Sequence, residues 1–360
     1  MILTPDRDLV TGLGGRLPAT EYYRGLRIER VPAVGNARKQ VPVGRPGMIF
    51  RALRWADVVH HHDPRFLFET TVAARRMMRF RLLFHTHGLI LHTDTYQRLK
   101  RGLLAVYYGP VLRHLVDGVI ADSEGDLSLL KQAAGVSGRR VHLIPNAIDL
   151  AEFLKVEPAQ EAGMLLAFGR IDRHKGLGLL LRRLAPLAGD WRLVVAGSGP
   201  AQLIGELRSL ANDLGIADRV SWEGQVSDAA LKALLARASL VVFPSEFEGF
   251  GLALLEAMAA GRPVIASAIP THAEILGPGL VGLLVHFDDS TATGAIGALL
   301  AAPAEEREAL GARARERSSA FDLPRLVDQV EELYQTLGIS ANGPQDLPAH
   351  VGGRPPSPPE

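Results

Sequence analysis

The chain has 360 residues, enough for two domains of ordinary size. Its 40 Lys and Arg balance 39 Asp and Glu, 47% of residues are hydrophobic and 22% charged, which excludes a disordered chain and a whole-protein electrostatic grip on nucleic acid. Cysteine is absent, so disulfides, thiolate catalysis and cysteine-based zinc sites are excluded as well.

The first thirty residues carry Asp6, Arg7, Asp8, Arg16, Glu21 and Arg24 without an apolar run of about 7 to 15 residues, so no secretory signal is read there. The most apolar stretches, 239–243 and 249–261, fall short of the roughly 20 residues a bilayer crossing needs. A cytoplasmic protein is the expectation. Short apolar runs at 26–31, 58–61, 82–85, 118–121 and 140–144 predict the strands of a first α/β domain over 1–150. Residues 150–162 lack periodicity and the Glu157-Pro158 step disfavours helix, so 151–162 is read as a linker.

From Gly163 the βαβα rhythm is regular. Strands are predicted at 164–168, 191–196, 220–222, 240–243, 264–266 and 282–285, with helices at 176–187, 200–214, 228–237, 251–260 and 290–300. This gives a second domain over 163–320, followed by a C-terminal helix at 321–340 and a disordered Pro/Gly-rich tail at 341–360. Open parallel sheets bind ligands at the carboxyl ends of their strands, so two facing domains would put the site in the cleft between them.

Two loops carry the chemistry. In Ser245-Glu246-Phe247-Glu248-Gly249-Phe250-Gly251, two glycines permit close backbone approach, and the free N–H groups at the start of the following helix suit a phosphate. Glu248 lies in the loop and Glu256 within the helix, so one carboxylate can address groups beside a phosphate and the other a ribose. Glu246 and Glu248 near the helix dipole would equally give a merely stable helix start. In Phe168-Gly169-Arg170-Ile171-Asp172-Arg173-His174-Lys175-Gly176, Arg170 can hold a phosphate bidentately and Lys175 can act beside it as a point charge, suited to a departing diphosphate. A solvated charged loop is the plainer alternative.

On these motifs, residues from about 56 to 337 resemble the retaining glycosyltransferases of family 4, with the GT-B fold of two Rossmann-like, doubly wound parallel-sheet domains facing a cleft. The resemblance rests on the Glu-x7-Glu spacing of Glu248 and Glu256, and on Gly169-Arg170 with Lys175-Gly176. Gly197-Ser198-Gly199-Pro200, Glu223-Gly224-Gln225-Val226, Ile144-Pro145-Asn146-Ala147-Ile148-Asp149 and Asp57-Val58-Val59-His60-His61-His62 support it. It implies a nucleotide diphosphate sugar as donor, with Arg170 and Lys175 on the diphosphate beside Gly169 and the backbone of Phe250, Gly251 and Leu252. It further implies Glu256 on the ribose, Glu248 on the sugar, and the base in the loops around Gly197 and Gln225. His87, in Thr86-His87-Gly88, matches the histidine that approaches the donor sugar, while Asp122 and Ser123 match a strand-end motif. The acceptor would be a glycan, lipid or small molecule, and no metal would be required.

The family usually begins with a strand, a Gly-Gly loop and a helix before the strand matched here by Leu26 to Val31, whereas Met1-Ile2-Leu3-Thr4-Pro5 resembles the second strand of that pattern. One βα unit is therefore expected to be missing, and Gly12-Leu13-Gly14-Gly15 reads as an ordinary turn. A late start codon or a degenerate protein would each explain the difference, and part of the first sheet should then lie open.

The same residues admit other readings. Gly-x-Gly-x-x-Gly fails at Gly12, Gly176 and Gly197, which argues against a dinucleotide oxidoreductase. His60 and His62 share a strand face, as do His85 and His87, with Asp63 nearby, so a metal-dependent hydrolase is an alternative. Asp6-x-Asp8 is a chance match to a metal-dependent transferase of another fold. A catalytically impaired sugar-nucleotide-binding protein is a further alternative. Arg75-Arg76-Met77-Met78-Arg79-Phe80-Arg81, with Arg98, Lys100 and Arg101, reads as a solvated helix face or as a peripheral contact with anionic membrane.

Overall fold

In the computed structural model, residues 1–6, 16–23, 25–36, 39–62, 64, 66–87, 98, 102–132 and 134–338 are described. The Gly12-Leu13-Gly14-Gly15 turn, Asp8, Arg24, Asp63, Gly88, Lys100, Arg101 and the 341–360 tail lie outside the described residues. β1 (Ile2–Pro5), β2 (Thr20–Tyr23) and β3 (Leu26–Val31) form a sheet in the order β1-β3-β2, β1 running parallel to β3 and β2 antiparallel. β4 (Ala33–Asn36) and β5 (Lys39–Pro42) form a hairpin not predicted from sequence. A separate parallel sheet follows the chain order β6 (Val58–His62), β7 (Arg81–His85), β8 (Gly118–Ala121) and β9 (Val141–Leu143). Leu82, Leu83 and Phe84 of β7 are fully buried because helices cover both faces of a parallel sheet.

Among the described residues, β1 pairs only with β3 and β6 only with β7. Between them lies a cavity of about 690 Å³, lined by Met1 to Pro5 on one side and Val58 to His62 on the other, with Leu53 and Tyr334 on its walls. Ile2 and Trp55 line this gap and are exposed.

The second domain holds six parallel strands: β10 (Met164–Phe168), β11 (Arg192–Ala196), β12 (Val220–Gly224), β13 (Leu240–Phe243), β14 (Val264–Ser267) and β15 (Leu284–Val285). Their order, β12-β11-β10-β13-β14-β15, reverses direction between β10 and β13. Such a reversal is the topological switch point at which open α/β sheets bind ligands. The Leu252–Ala259 helix buries Leu254, Leu255, Ala257, Met258 and Ala259 completely. Full burial of a Leu or Met stabilises by about 1.5–3 kcal/mol, which anchors this helix start rigidly.

Several sequence expectations need correction. The segment read as linker opens with a helix, Leu150–Leu154, because Leu150 is buried and Phe153 packs on the same core. Lys232 adds an ion pair to Glu152 and lies 5.7 Å over the Phe153 ring. The strand predicted at 282–285 is reduced to Leu284–Val285, the preceding residues forming a 3-10 turn over Pro278–Leu283. The run from Arg75 to Phe80 is a turn rather than a helix face, and Asp117 pairs with both Arg75 and Arg81. Helices Pro270–Leu276 and Ala304–Ser318 were not predicted; the latter lacks an apolar stripe and is held by its small residues, Gly311 and Ala314, against the core. The terminal helix, Leu323–Thr336, returns to the first domain, where Leu333 packs with Leu83, Ile120 and Ile144.

Candidate active site

The loops after β10 and β13 meet at the switch point. Gly176, in the left-handed region at φ 66°, allows this: a Cβ there would lie 1.9 Å from the Pro244 carbonyl oxygen. Glu246 N–H donates to the His174 carbonyl at 2.8 Å, joining the two loops directly. Lys175 Nζ consequently donates to both carboxylate oxygens of Glu248, at 2.6 and 2.8 Å. Ser245 Oγ donates to Glu248 Oε1 at 2.7 Å. Gly169, Arg170, Lys175, Ser245 and Glu248 line one pocket. Arg170 is exposed, its nearest carboxylate being Asp172 at 3.9 Å, so its guanidinium is available to a ligand.

The loop after β11 comes close from the other side. A Cβ on Gly197 would fall 1.8 Å from the Gly169 carbonyl oxygen, so only glycine lets these two loops touch. Gly197 N–H also donates to the Gly224 carbonyl at 2.7 Å, which places Gln225 beside Gly197. The helix with Gly251 as its N-cap has no side-chain cap, leaving first-turn N–H groups free for an anion. The Phe250 ring is buried and lies 5.9 Å from Phe321, so this residue offers only its backbone to the cleft. Leu252 is exposed. Glu256 is largely buried; desolvation, helped by nearby Asp228, raises its pKa to about 7.

His272, which sequence reasoning missed, is fully buried beneath Gly251 and donates Nδ1–H to the Ser267 carbonyl at 3.0 Å. Burial holds it below the usual histidine range. Its helix carries no periodic signal long enough to find it.

Across the cleft, the histidine pairs predicted on adjacent strands are in register, His62 opposite His85. His85 Nε2–H donates to Asp122 Oδ1 at 2.5 Å and His87 Nδ1–H to Asp122 Oδ2 at 3.1 Å. Burial would raise the pKa of Asp122, but these two hydrogen bonds outweigh it and hold the carboxyl well below its usual range. With His87 Nδ1–H donating to Asp122, its Nε2 accepts from His62 Nδ1–H at 2.8 Å. The result is a chain Asp122–His87–His62, which gives His62, from sequence a candidate metal ligand only, a second role. His87 adopts φ 43°, a conformation that costs about 1–3 kcal/mol and persists because the contacts on both ring nitrogens hold it. Ser123 Oγ accepts from Asp126 N–H, capping the Glu124–Gln132 helix. The two domains touch where the Glu274 carboxylate accepts Glu124 N–H, both oxygens at 3.1 Å.

Two Rossmann-like domains, with Arg170 and Lys175 at the switch point of the second, define a sugar-nucleotide transferase of the GT-B class. Residues 6–152 match the model of Glycosyltransferase Family 4 and residues 151–317 that of Glycosyl transferases group 1. A GDP-mannose:cellobiosyl-diphosphopolyprenol alpha-mannosyltransferase of Komagataeibacter xylinus is 30% identical over 335 residues, covering 92% of this chain and 83% of that one. A phosphatidyl-myo-inositol mannosyltransferase of Mycolicibacterium smegmatis is 30% identical over 296 residues, 78% of this chain and 71% of that one. Among solved structures, the sucrose-phosphate synthase of Thermosynechococcus elongatus has a similar fold, with a TM-score of 0.74 at 24% identity over 93% of this chain and 88% of that one. The chain belongs to glycosyltransferase family 4. It is a retaining glycosyltransferase that moves a sugar from a nucleotide diphosphate sugar to an acceptor, and the hydrolase reading of the histidines gives way to this.

Proposed function

We propose that the protein transfers mannose from GDP-mannose to a lipid-linked, phosphorylated glycan acceptor. Arg170 and the Lys175–Glu248 pair at the carboxyl end of β10 carry the diphosphate part of this reading. The donor and acceptor classes come from the names of the Komagataeibacter and Xanthomonas relatives, both GDP-mannose:cellobiosyl-diphosphopolyprenol alpha-mannosyltransferases.

In this reading Arg170 and Lys175 neutralise the departing diphosphate together with the free N–H groups at Gly251 and Leu252. Glu256 accepts from the ribose hydroxyls, Gln225 and Gly197 border the base, and Glu248 accepts from sugar hydroxyls while orienting Lys175. A double displacement needs a free carboxylate on the face opposite the leaving group. Glu248, held by Lys175 and Ser245, is assigned to the sugar hydroxyls and no other carboxylate is assigned to that face, so attack proceeds on the same face. The departing diphosphate takes the acceptor's proton, and the Asp122–His87–His62 chain orients His87 towards the sugar. No metal is needed for this step, because the basic residues supply the charge neutralisation.

The same reading places the protein at the inner face of an anionic membrane without spanning it. No helix among the described residues is long and apolar enough to cross a bilayer. Met77 and Val106 of the first domain are 72% and 80% exposed, and Arg76 and Arg79 flank Met77. These are the apolar and basic elements of a peripheral contact.

The test incubates purified protein with radiolabelled GDP-mannose or UDP-glucose and cellobiosyl-diphosphopolyprenol, with product configuration read by NMR. An α-linked mannosyl product supports the reading. Transfer from UDP-glucose alone, or a β-linked product, would overturn it. Co-sedimentation with phosphatidylglycerol vesicles but not phosphatidylcholine vesicles tests the membrane contact.

A further inference from the structure

Behind His87, four imidazoles stack face to face: His60 on His62 with ring centroids 4.4 Å apart, and His85 on His87 at 4.1 Å. One ring nitrogen of each of His60, His62 and His85 lies within 4.8 Å of the other two. Each of these three residues engages one of its ring nitrogens elsewhere. His60 Nδ1 lies 2.9 Å from Tyr334 Oη, His62 Nδ1 2.8 Å from His87 Nε2, and His85 Nε2 2.5 Å from Asp122 Oδ1.

The two most buried rings leave their remaining nitrogens, His60 Nε2 and His85 Nδ1, buried without a hydrogen-bond partner. His85 is 4% exposed, and a buried polar atom with no partner calls for an explanation. We propose that His60, His62 and His85 bind one divalent transition-metal ion of the Zn²⁺ class. The ion would bond to His60 Nε2, His62 Nε2 and His85 Nδ1, with its remaining position open to water from the adjoining cavity.

The donor set selects the metal. Three neutral imidazoles without thiolate or free carboxylate suit Zn²⁺, Co²⁺ or Ni²⁺ rather than Mg²⁺ or Ca²⁺. Ligating histidines characteristically donate their second N–H to a carboxylate, hydroxyl or other acceptor, and Asp122, Tyr334 and His87 supply that outer shell here. His60 and His62 line the cavity between β1 and β6, which is the entry path. An ion on His62 Nε2 leaves the proton on Nδ1 and so fixes the direction of the hydrogen bond to His87. Its place is therefore positional, acting on sugar transfer only through the hydrogen bond from His62 to His87.

Full-length protein, freed of metal by a chelator, is titrated with ZnCl₂ or CoCl₂. Metal content after dialysis, the visible bands of Co²⁺ in a nitrogen-ligated site and the melting temperature are recorded. One ion per chain and a melting temperature raised by several degrees are expected, with affinity reduced at least tenfold in His60→Gln and in the exposed-site variant His62→Gln. GDP binding, measured on the same samples, reports that the variants are folded. Uptake below one equivalent, or uptake equal in wild type and both variants, would overturn the proposal.

Discussion

Lys175 Nζ sits between both oxygens of Glu248, at 2.6 and 2.8 Å, although 73 positions separate the two residues. The cation proposed to face the diphosphate and the carboxylate proposed to face the sugar are thus one preorganised unit. Lys175→Ala should lower kcat/KM by about 10² to 10³, the usual cost of one preorganised charge contact, and Arg170→Ala by a similar factor. Combined with Glu248→Gln, Lys175→Ala should cost less than the sum of the two single losses, because the partners share one interaction. Strict additivity in steady-state kinetics would refute the coupling.

The two glutamates should fail differently. A ribose contact is made in ground and transition states alike, so Glu256→Gln should raise KM and the Kd for the nucleotide with little change in kcat. Glu248→Gln should lower kcat, since it disturbs the group nearest the departing diphosphate. The same kinetic signature in both variants would count against separate roles.

Glu256 also sets a pH dependence. Its carboxyl is raised from 4.5 to about 7 by burial and Asp228, so the folded state favours the protonated form. The stabilisation is full below about 4.5 and lost as pH rises through 7, at most about 3 kcal/mol. Ribose hydroxyls donating to the carboxylate favour its charged form. Nucleotide binding should therefore tighten as pH rises from about 6 to 8 and release a proton. Calorimetry in buffers of different ionisation enthalpy measures this, and a flat profile absent from neither wild type nor Glu256→Gln would remove the ribose assignment.

Asp122 accepts from two histidines, and an amide can replace only one of those acceptors. Asp122→Asn should lower kcat by about 10² to 10⁴ while nucleotide binding, on the opposite domain, stays unchanged. The depressed Asp122 pKa also contributes stability above the ordinary carboxylate range that disappears as pH falls through it. Wild type should therefore exceed Asp122→Asn in unfolding free energy at neutral pH, and denaturant unfolding monitored by circular dichroism should show that difference shrinking as pH falls below the ordinary carboxylate range.

Local signals identified the second domain almost element by element. Strands 164–168 and 240–243 and the helix 228–237 coincide with β10, β13 and Asp228–Arg237, because buried parallel strands need continuous aliphatic runs and Ser227 supplies a cap. The spacing of Glu248 and Glu256 and the charges of the 169–176 loop are likewise properties of adjacent residues, legible in one dimension. Contacts between distant segments were not. That Lys175 pairs with Glu248 depends on β10 and β13 lying side by side, and that His62 reaches His87 depends on the register of β6 with β7. The Glu274 contact to Glu124 and the return of Tyr334 to His60 depend on how one domain meets the other. Sequence periodicity reports which face of an element is apolar. It is silent on which neighbour that face meets, since many partners bury equal area, and the choice among them is made by packing and hydrogen bonding in the assembled fold.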